Sequence, residues 1–180
     1  MKSFGKKVFI LGSCIALMMG FGCAPTLVSF SAPKIQTAGN SYYSAQFEPI
    51  SEGKNFFDTF RLRITNKTSN DLQIDWNKTR YLHNGRDLGI FVFRGVQPKD
   101  IRNLTIPPEI IPAGHSFSKE ISPLKLLARE PITGKGADAG KITSGSIPNG
   151  ENGILLFIRQ NDTPIKEKMT VKITEKEIQR

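Results

Sequence analysis

Cysteine is scarce in this chain of 180 residues: Cys14 and Cys23 are its only two. That excludes a disulfide-stapled fold, and with it a zinc site built from several thiolates at short spacing. Histidine is as scarce, with His83 and His115 standing 32 residues apart. Two isolated imidazoles fall short of the three or four ligands of a zinc centre, so no metal site is expected. Tryptophan occurs once and tyrosine three times, against twelve phenylalanines. Phenylalanine with Ile and Leu suits a packed interior rather than an exposed stacking surface. Long apolar runs are missing too. The stretch Val8 to Phe21 has 14 uncharged residues, short of the ~20 that a membrane-spanning helix requires. Basic residues never run to four in succession, so a polybasic nucleic-acid arm is absent.

The first 23 residues have a pattern of their own. Lys2, Lys6 and Lys7 form a positive start, Val8 to Phe21 is apolar, and small residues close the segment at Gly20, Gly22 and Ala24 around Cys23. A positive start, a short apolar core and a small-residue end make an export signal. The segment resembles bacterial lipoprotein signals, in which a small residue precedes a cysteine that receives diacylglycerol and becomes the new N-terminus. Gly22 and Cys23 match that lipobox; Gly20 and Phe21 depart from it, since an aliphatic residue usually stands three places before the cysteine. Leu11-Gly12-Ser13-Cys14 fits the motif letter for letter. Its apolar run, however, would be only Val8 to Leu11, below the ~7 residues such a core needs. The resemblance therefore assigns lipidation (diacylglycerol and palmitate-type acyl chains) to Cys23 and discards Cys14 with the signal. It covers these residues alone. Cys23 is then the sole thiol of the mature chain, and acylation removes the liability of a free thiol in an oxidising compartment.

Cleavage also changes the charge. The formal +9 loses Lys2, Lys6 and Lys7, which takes 25 basic residues to 22 against 16 acidic ones and leaves +6. The remaining basic residues are scattered, which reads as a mildly cationic soluble surface.

Residues 24–40 carry Pro25, Pro33 and Gly39 among Ser, Thr and Ala, with Lys34 the one charge; this composition reads as a flexible tether. Beyond it the pattern has period two. Phe60, Leu62 and Ile64 alternate with Arg61, Arg63 and Thr65, and Leu72, Ile74 and Trp76 with Gln73, Asp75 and Asn77. Each run reads as a strand with one apolar face, and the turn formers Asn66 to Asp71 between them predict a hairpin. A second hairpin is expected from Thr79–His83 and Leu88–Phe93 around Asn84-Gly85, two residues that tolerate positive φ. Prolines 98, 107, 108, 112 and 123 limit the middle to short strands such as Ile101–Ile106 and His115–Ile121. Residues 133–153 are Gly-rich and read as a long loop. Ile154–Ile158 reads as a central strand covered on both faces. In Lys166–Thr174, Met169, Val171 and Ile173 face one way and Lys168, Thr170, Lys172 and Thr174 the other. Only Pro123–Arg129 and the residues from Glu175 compete as helices. The predicted fold is all-β, an antiparallel two-sheet sandwich of immunoglobulin-like architecture without the immunoglobulin cysteine pair. The division is a signal over 1–22, a tether over 23–43 and one β domain over 44–180. The run Phe60 to Gly85 is similar to β-sandwich domains of uncharacterised bacterial envelope lipoproteins, which implies a fold and no activity.

No catalytic constellation emerges. Thr133 to Ile142 approaches a phosphate-binding loop, but five residues separate Gly134 from Gly140-Lys141, Ile142 replaces the magnesium-binding hydroxyl, and no hydrophobic strand leads in. Ser116 and Ser118 near His115 lack a nucleophile-elbow motif. A carboxylate pair drawn from Glu48, Glu52, Asp58, Asp71, Asp75 and Asp87 would suit glycoside chemistry only if two converged in one pocket. Tyr42 and Tyr43 would make a solute-binding platform if both were exposed. Asn66, Asn77 and Asn103 head glycosylation-type tripeptides, which turn chemistry explains in a bacterial protein. The expectation is a non-enzymatic envelope lipoprotein without cofactor, metal or nucleic-acid partner. It would be held at the cell membrane or, by the resemblance and Ala24, the outer membrane through lipid on Cys23, where it binds or supports another envelope component. The rivals are a carboxylate-dependent enzyme and a solute-binding module.

Overall fold

The structure is a computed structural model that describes residues 25–96, 105–129, 142–161 and 163–178. The expected signal, Cys23 and the phosphate-loop-like stretch up to Lys141 lie outside the described residues.

Alternation builds the strands. In β3 (Tyr43–Ile50), Tyr43, Ala45, Phe47 and Pro49 are buried while Ser44, Gln46 and Glu48 are half-exposed. In β4 (Thr59–Asn66), Phe60, Leu62 and Ile64 are buried. Around these lie β1 (Thr26–Ala32), β2 (Gln36–Gly39), β5 (Leu72–Ile74), β6 (Arg80–His83), β7 (Arg86–Phe93), β8 (Glu109–Ile111) and β9 (Ser116–Pro123). The chain closes with β10 (Leu127–Arg129), β11 (Ile142–Ser144), β12 (Gly150–Gln160) and β13 (Thr163–Ile178). All pairings are antiparallel, and the only helical element among the described residues is a 3-10 turn at Leu124–Leu126.

Eleven strands form one sheet in the order β1-β13-β12-β6-β7-β9-β4-β3-β2, with β5 pairing the end of β12 and β8 pairing β5; β10 and β11 form a separate pair. The sheet curls at β7. The first part of this strand pairs with β6 as far as Ile90, and Phe91, Val92 and Phe93 pair with β9. Gly89 lies just before the switch, at φ 112°, within the register shift opposite Arg80 and Leu82. Only glycine adopts that φ cheaply, and a bulge of this kind bends a strand. The curl wraps both halves around one core. Phe47 and Phe60 stack with ring centroids 4.4 Å apart, and Phe91 meets both edge-on. Tyr81, Ile154, Leu156, Met169, Val171 and Ile173 fill the other side. Trp76 is fully buried, packed edge-to-face on Phe93 at 5.0 Å.

The Asn84-Gly85 hairpin forms as expected, with φ of 48° and 76° at its two turn residues. Four expectations are corrected. Residues 24–40 are not a free tether. Leu27, Val28 and Phe30 have β-forming side chains, and β1 lies in full register along β13 from Thr26↔Ile178 to Ala32↔Lys172, while β2 pairs with β3. Strands 60–65 and 72–74 are not a hairpin. Both edges of β4 are taken by β3 and β9, so β5 pairs instead with β12 and β8. The intervening turn is pinned by Asn66, whose side chain donates to Asn70, Ile111 and Pro112 carbonyls and accepts from Thr68. The Gly-rich stretch over 133–153 contains β11, and β12 already begins at Gly150. Finally, Leu127–Arg129 and Glu175–Ile178 are strand, because each has a partner strand to satisfy its backbone groups. Of the proposed strand at 101–106, only Thr105 and Ile106 are described, and neither is in a strand.

Candidate functional site

The loop from β3 to β4 carries Lys54 and Asp58, which form an ion pair; the Asp58 side chain is only 9% exposed. The Thr59 hydroxyl lies 3.4 Å from the same carboxylate. Opposite them, the small β10–β11 pair is fastened to the main sheet. Gly145 N donates to Leu126 O at 2.8 Å and extends the pair's own ladder, while Ile147 N donates to Phe57 O at 2.8 Å and the Ser122 and Ser144 hydroxyls, 2.7 Å apart, join the pair to β9. Between the two walls lies a cleft of about 290 Å³, with Phe93 and Arg94 at the end of β7 completing it. Its chemistry is a carboxylate, an ammonium group, a guanidinium group and several hydroxyls. The two serines hydrogen-bond each other, and neither histidine lines the cleft. Such a set can hold a small polar molecule by hydrogen bonds.

Arg94 links the cleft to the outer face of the sheet. Glu48, Arg61 and Glu120 are cross-strand neighbours on β3, β4 and β9. Arg61 lies 3.8 Å from Glu48 and 3.0 Å from Glu120; Arg94 lies 2.9 Å from Glu120 and also pairs with Glu52. The Arg94 guanidinium, with Arg61 adding to it, holds the Glu120 carboxyl below the usual range, and Arg94 does the same for Glu52. Those two carboxylates in turn push Arg94 further up. These groups are partly or wholly solvated, so the ladder contributes little stability.

The other candidate residues are spread apart. Asp58 alone of Glu48, Asp58, Asp71, Asp75 and Asp87 lines the 290 Å³ cleft. Asp71 accepts from Ala113 N at 3.3 Å and lines a shallow depression of about 240 Å³ with Ile110 and Arg159. Asp75 caps its own turn, accepting from Lys78 N at 3.2 Å, and lies 3.6 Å from Lys78 and 3.7 Å from Arg159. Asp87 is held by Arg80 at 2.9 Å, whose guanidinium lowers its pKa. His83 Nε2 lies 3.1 Å from the Asn84 amide, and His115 Nδ1 lies 2.8 Å from the Ala113 carbonyl oxygen. Ser116 bonds Thr65 at 2.8 Å across the sheet. Tyr42 is exposed, but Tyr43 is fully buried, because neighbours in sequence here face opposite ways. The two rings form no platform. Asn77 is a brace, exchanging hydrogen bonds of 2.8 and 3.1 Å with Ile106; Asn103 lies outside the described residues. Among the described residues, no group of three or more His, Cys, Asp or Glu side chains could hold a metal.

Sequence reasoning missed Lys54, Ser122 and Ser144. The one local sign was a serine between Ile121 and Pro123 at the end of an apolar strand. Neither a protein-family model, nor a curated protein, nor a solved structure matches the chain.

Proposed function

We propose that the chain is an envelope lipoprotein, anchored through lipid on Cys23, whose mature domain is a non-enzymatic binding or structural module. In this reading the curled sheet is a two-layer sandwich of immunoglobulin-like type. Strands β9, β4, β3 and β2 then pack across the aromatic core from β6, β12 and β13. The domain sits at the cell membrane or outer membrane, facing periplasm or exterior, with another envelope protein as partner. The observation that carries the reading is where the first described strand begins. Strand β1 begins at Thr26, with Ala24 and Pro25 alone between it and Cys23. A lipidated residue 23 therefore adjoins the fold directly. The binding role is supported by the carboxylates, since Asp58, Asp75, Asp87 and Glu120 are each paired with a cation rather than with a second acid. Replacing Cys23 by Ala tests the anchor: the protein leaves the membrane fraction and loses labelling by a fatty-acid probe. Retention of both by the variant sinks the reading.

A second reading is solute binding, favoured by the cleft between Asp58 and Ser144. It predicts that small polar solutes perturb backbone amide resonances there, and that Asp58→Asn removes the effect.

A further inference from the structure

Strand β13 is longer than its partner β12. The pairing with β12 ends at Gly150↔Ile173, and beyond it Thr174–Ile178 pair only with Thr26–Phe30 of β1. A two-stranded ribbon thus extends past β12, and its two faces differ in chemistry. Ile173 is fully buried, so Glu175 and Glu177, two and four residues on, share its side of the strand with Leu27 opposite. The other face carries Lys172, Thr174, Lys176 and Ile178, with Phe30 and Val28 opposite Thr174 and Lys176. Phe30 and Ile178 are each 41% exposed, and the Lys176 ammonium lies 5.4 Å from the centre of the Phe30 ring. Further along β13 the same face continues through Lys168 and Lys166. Glu151 beside it is matched by Lys168 at 3.7 Å, while Lys172 has no ion pair among the described residues. Within the ribbon, Lys176, Phe30, Val28 and Ile178 therefore share one face, with Lys172 and Glu151 at its inner end, and Glu175 and Glu177 share the other with Leu27.

We propose that this Lys172–Lys176 face, with Val28, Phe30 and Ile178, docks flat on a bilayer surface rich in anionic lipid headgroups. The inference rests on the lipid at Cys23 and deepens that reading. Three residue steps from Cys23 to Thr26 span at most ~11 Å of extended chain, so an acylated residue 23 brings the ribbon within reach of the headgroups. Lysines beside the bilayer gain from its negative surface potential, and aromatic and aliphatic side chains among them enter the interface. The ribbon's acidic face is turned away in this arrangement, which also sets the direction in which the cleft and the far half of the sheet point.

The test uses the full-length lipidated chain with Thr174→Cys, whose new thiol is the free one for an environment-sensitive fluorophore. The protein is reconstituted into vesicles of phosphatidylcholine and phosphatidylglycerol that contain a brominated lipid. The same label at Ser118→Cys, on the exposed face of β9, is the control. Docking predicts a blue shift and quenching at position 174 and neither at 118. It also predicts loss of both signals in Lys172→Gln/Lys176→Gln or in vesicles of phosphatidylcholine alone, while the protein still pellets with the vesicles. Unchanged far-ultraviolet circular dichroism shows that the variants fold. Pelleting with a solvent-like label at 174 overturns the docking and leaves the anchor standing. Failure to pellet overturns both. Burial of the label without vesicles, accompanied by sedimentation as a dimer, overturns docking in favour of a second copy of the chain.

Discussion

The Tyr43 hydroxyl donates a hydrogen bond of 2.9 Å to Glu167 Oε2, joining β3 to β13 across 124 residues of chain. Strand β13 lies near one end of the sheet order and β3 near the other, so this bond ties the curl shut. Tyr43 is fully buried, and the burial together with Glu167 raises its pKa.

Tyr43→Phe should cost about 1.5 kcal/mol, the lower end of the range for a bond to an ionised acceptor, because water can partly replace it. Urea unfolding of Tyr43→Phe, Glu167→Gln and the double variant forms a cycle that isolates the pair. A coupling indistinguishable from zero would show that the curl is held by packing alone.

Alkaline pH should destabilise the domain through two phenols. Burial is the first cause of the raised pKa of both Tyr43 and Tyr81, whose ordinary value is 10.0. Below pH 10 both states hold the proton and the contribution is complete. Above it the unfolded chain ionises first, so stability falls by about 1.4 kcal/mol per pH unit for each phenol. Thermal melting between pH 9 and 11.5 should show this slope, and Tyr43→Phe/Tyr81→Phe should flatten it. An equal slope in the double variant would assign the loss to other groups.

Trp76 and Tyr81 are both fully buried, yet they should respond differently to phenylalanine. The Tyr81 hydroxyl donates to the Asn152 side-chain oxygen, and its removal leaves that buried acceptor short of a partner, costing about 2 kcal/mol for one oxygen. Among the described residues, the Trp76 indole N–H has no hydrogen-bond partner. Trp76→Phe therefore loses packing only and is relieved of an unpaired donor, for a net cost of about 1–2 kcal/mol despite the larger volume removed. Denaturant midpoints compare the two. A Trp76→Phe cost well above that of Tyr81→Phe would contradict the unpaired N–H.

The ladder Glu48–Arg61–Glu120–Arg94 should be salt-sensitive and weak. Arg61→Ala is expected to cost less than about 1 kcal/mol, and the difference from wild type should shrink in 1 M salt, where screening acts within ~3 Å. A cost that persists unchanged at high salt would mean that the Arg61 stem, not its charge, supports the sheet.

Local chemistry alone settled the strand character of 60–65, 72–74 and 166–174, since a period of two with one apolar face is written in the residues themselves. The Asn84-Gly85 turn was equally local, because it depends on two residues that accept positive φ. The basic row on β13 was also visible, as Lys168 and Lys172 alternate with Met169, Val171 and Ile173. Partner choice was not visible. Strand β4 binds β3 and β9 rather than its neighbour β5, because pairing depends on which edges are already filled, and that is decided far away in the chain. Residues 26–39 have loop-like composition and become strands only because β13 and β3 offer them open edges. The cleft brings together Asp58, Ser122 and Ser144 from three separate segments, which no spacing announces. Sequence thus determined which residues turn inward, and its lipoprotein-like start is the whole basis for proposing a lipid at Cys23. Tertiary structure decided which strands meet and how short the lead from that cysteine into the fold is, because backbone hydrogen bonds between strands carry no side-chain code for their partner.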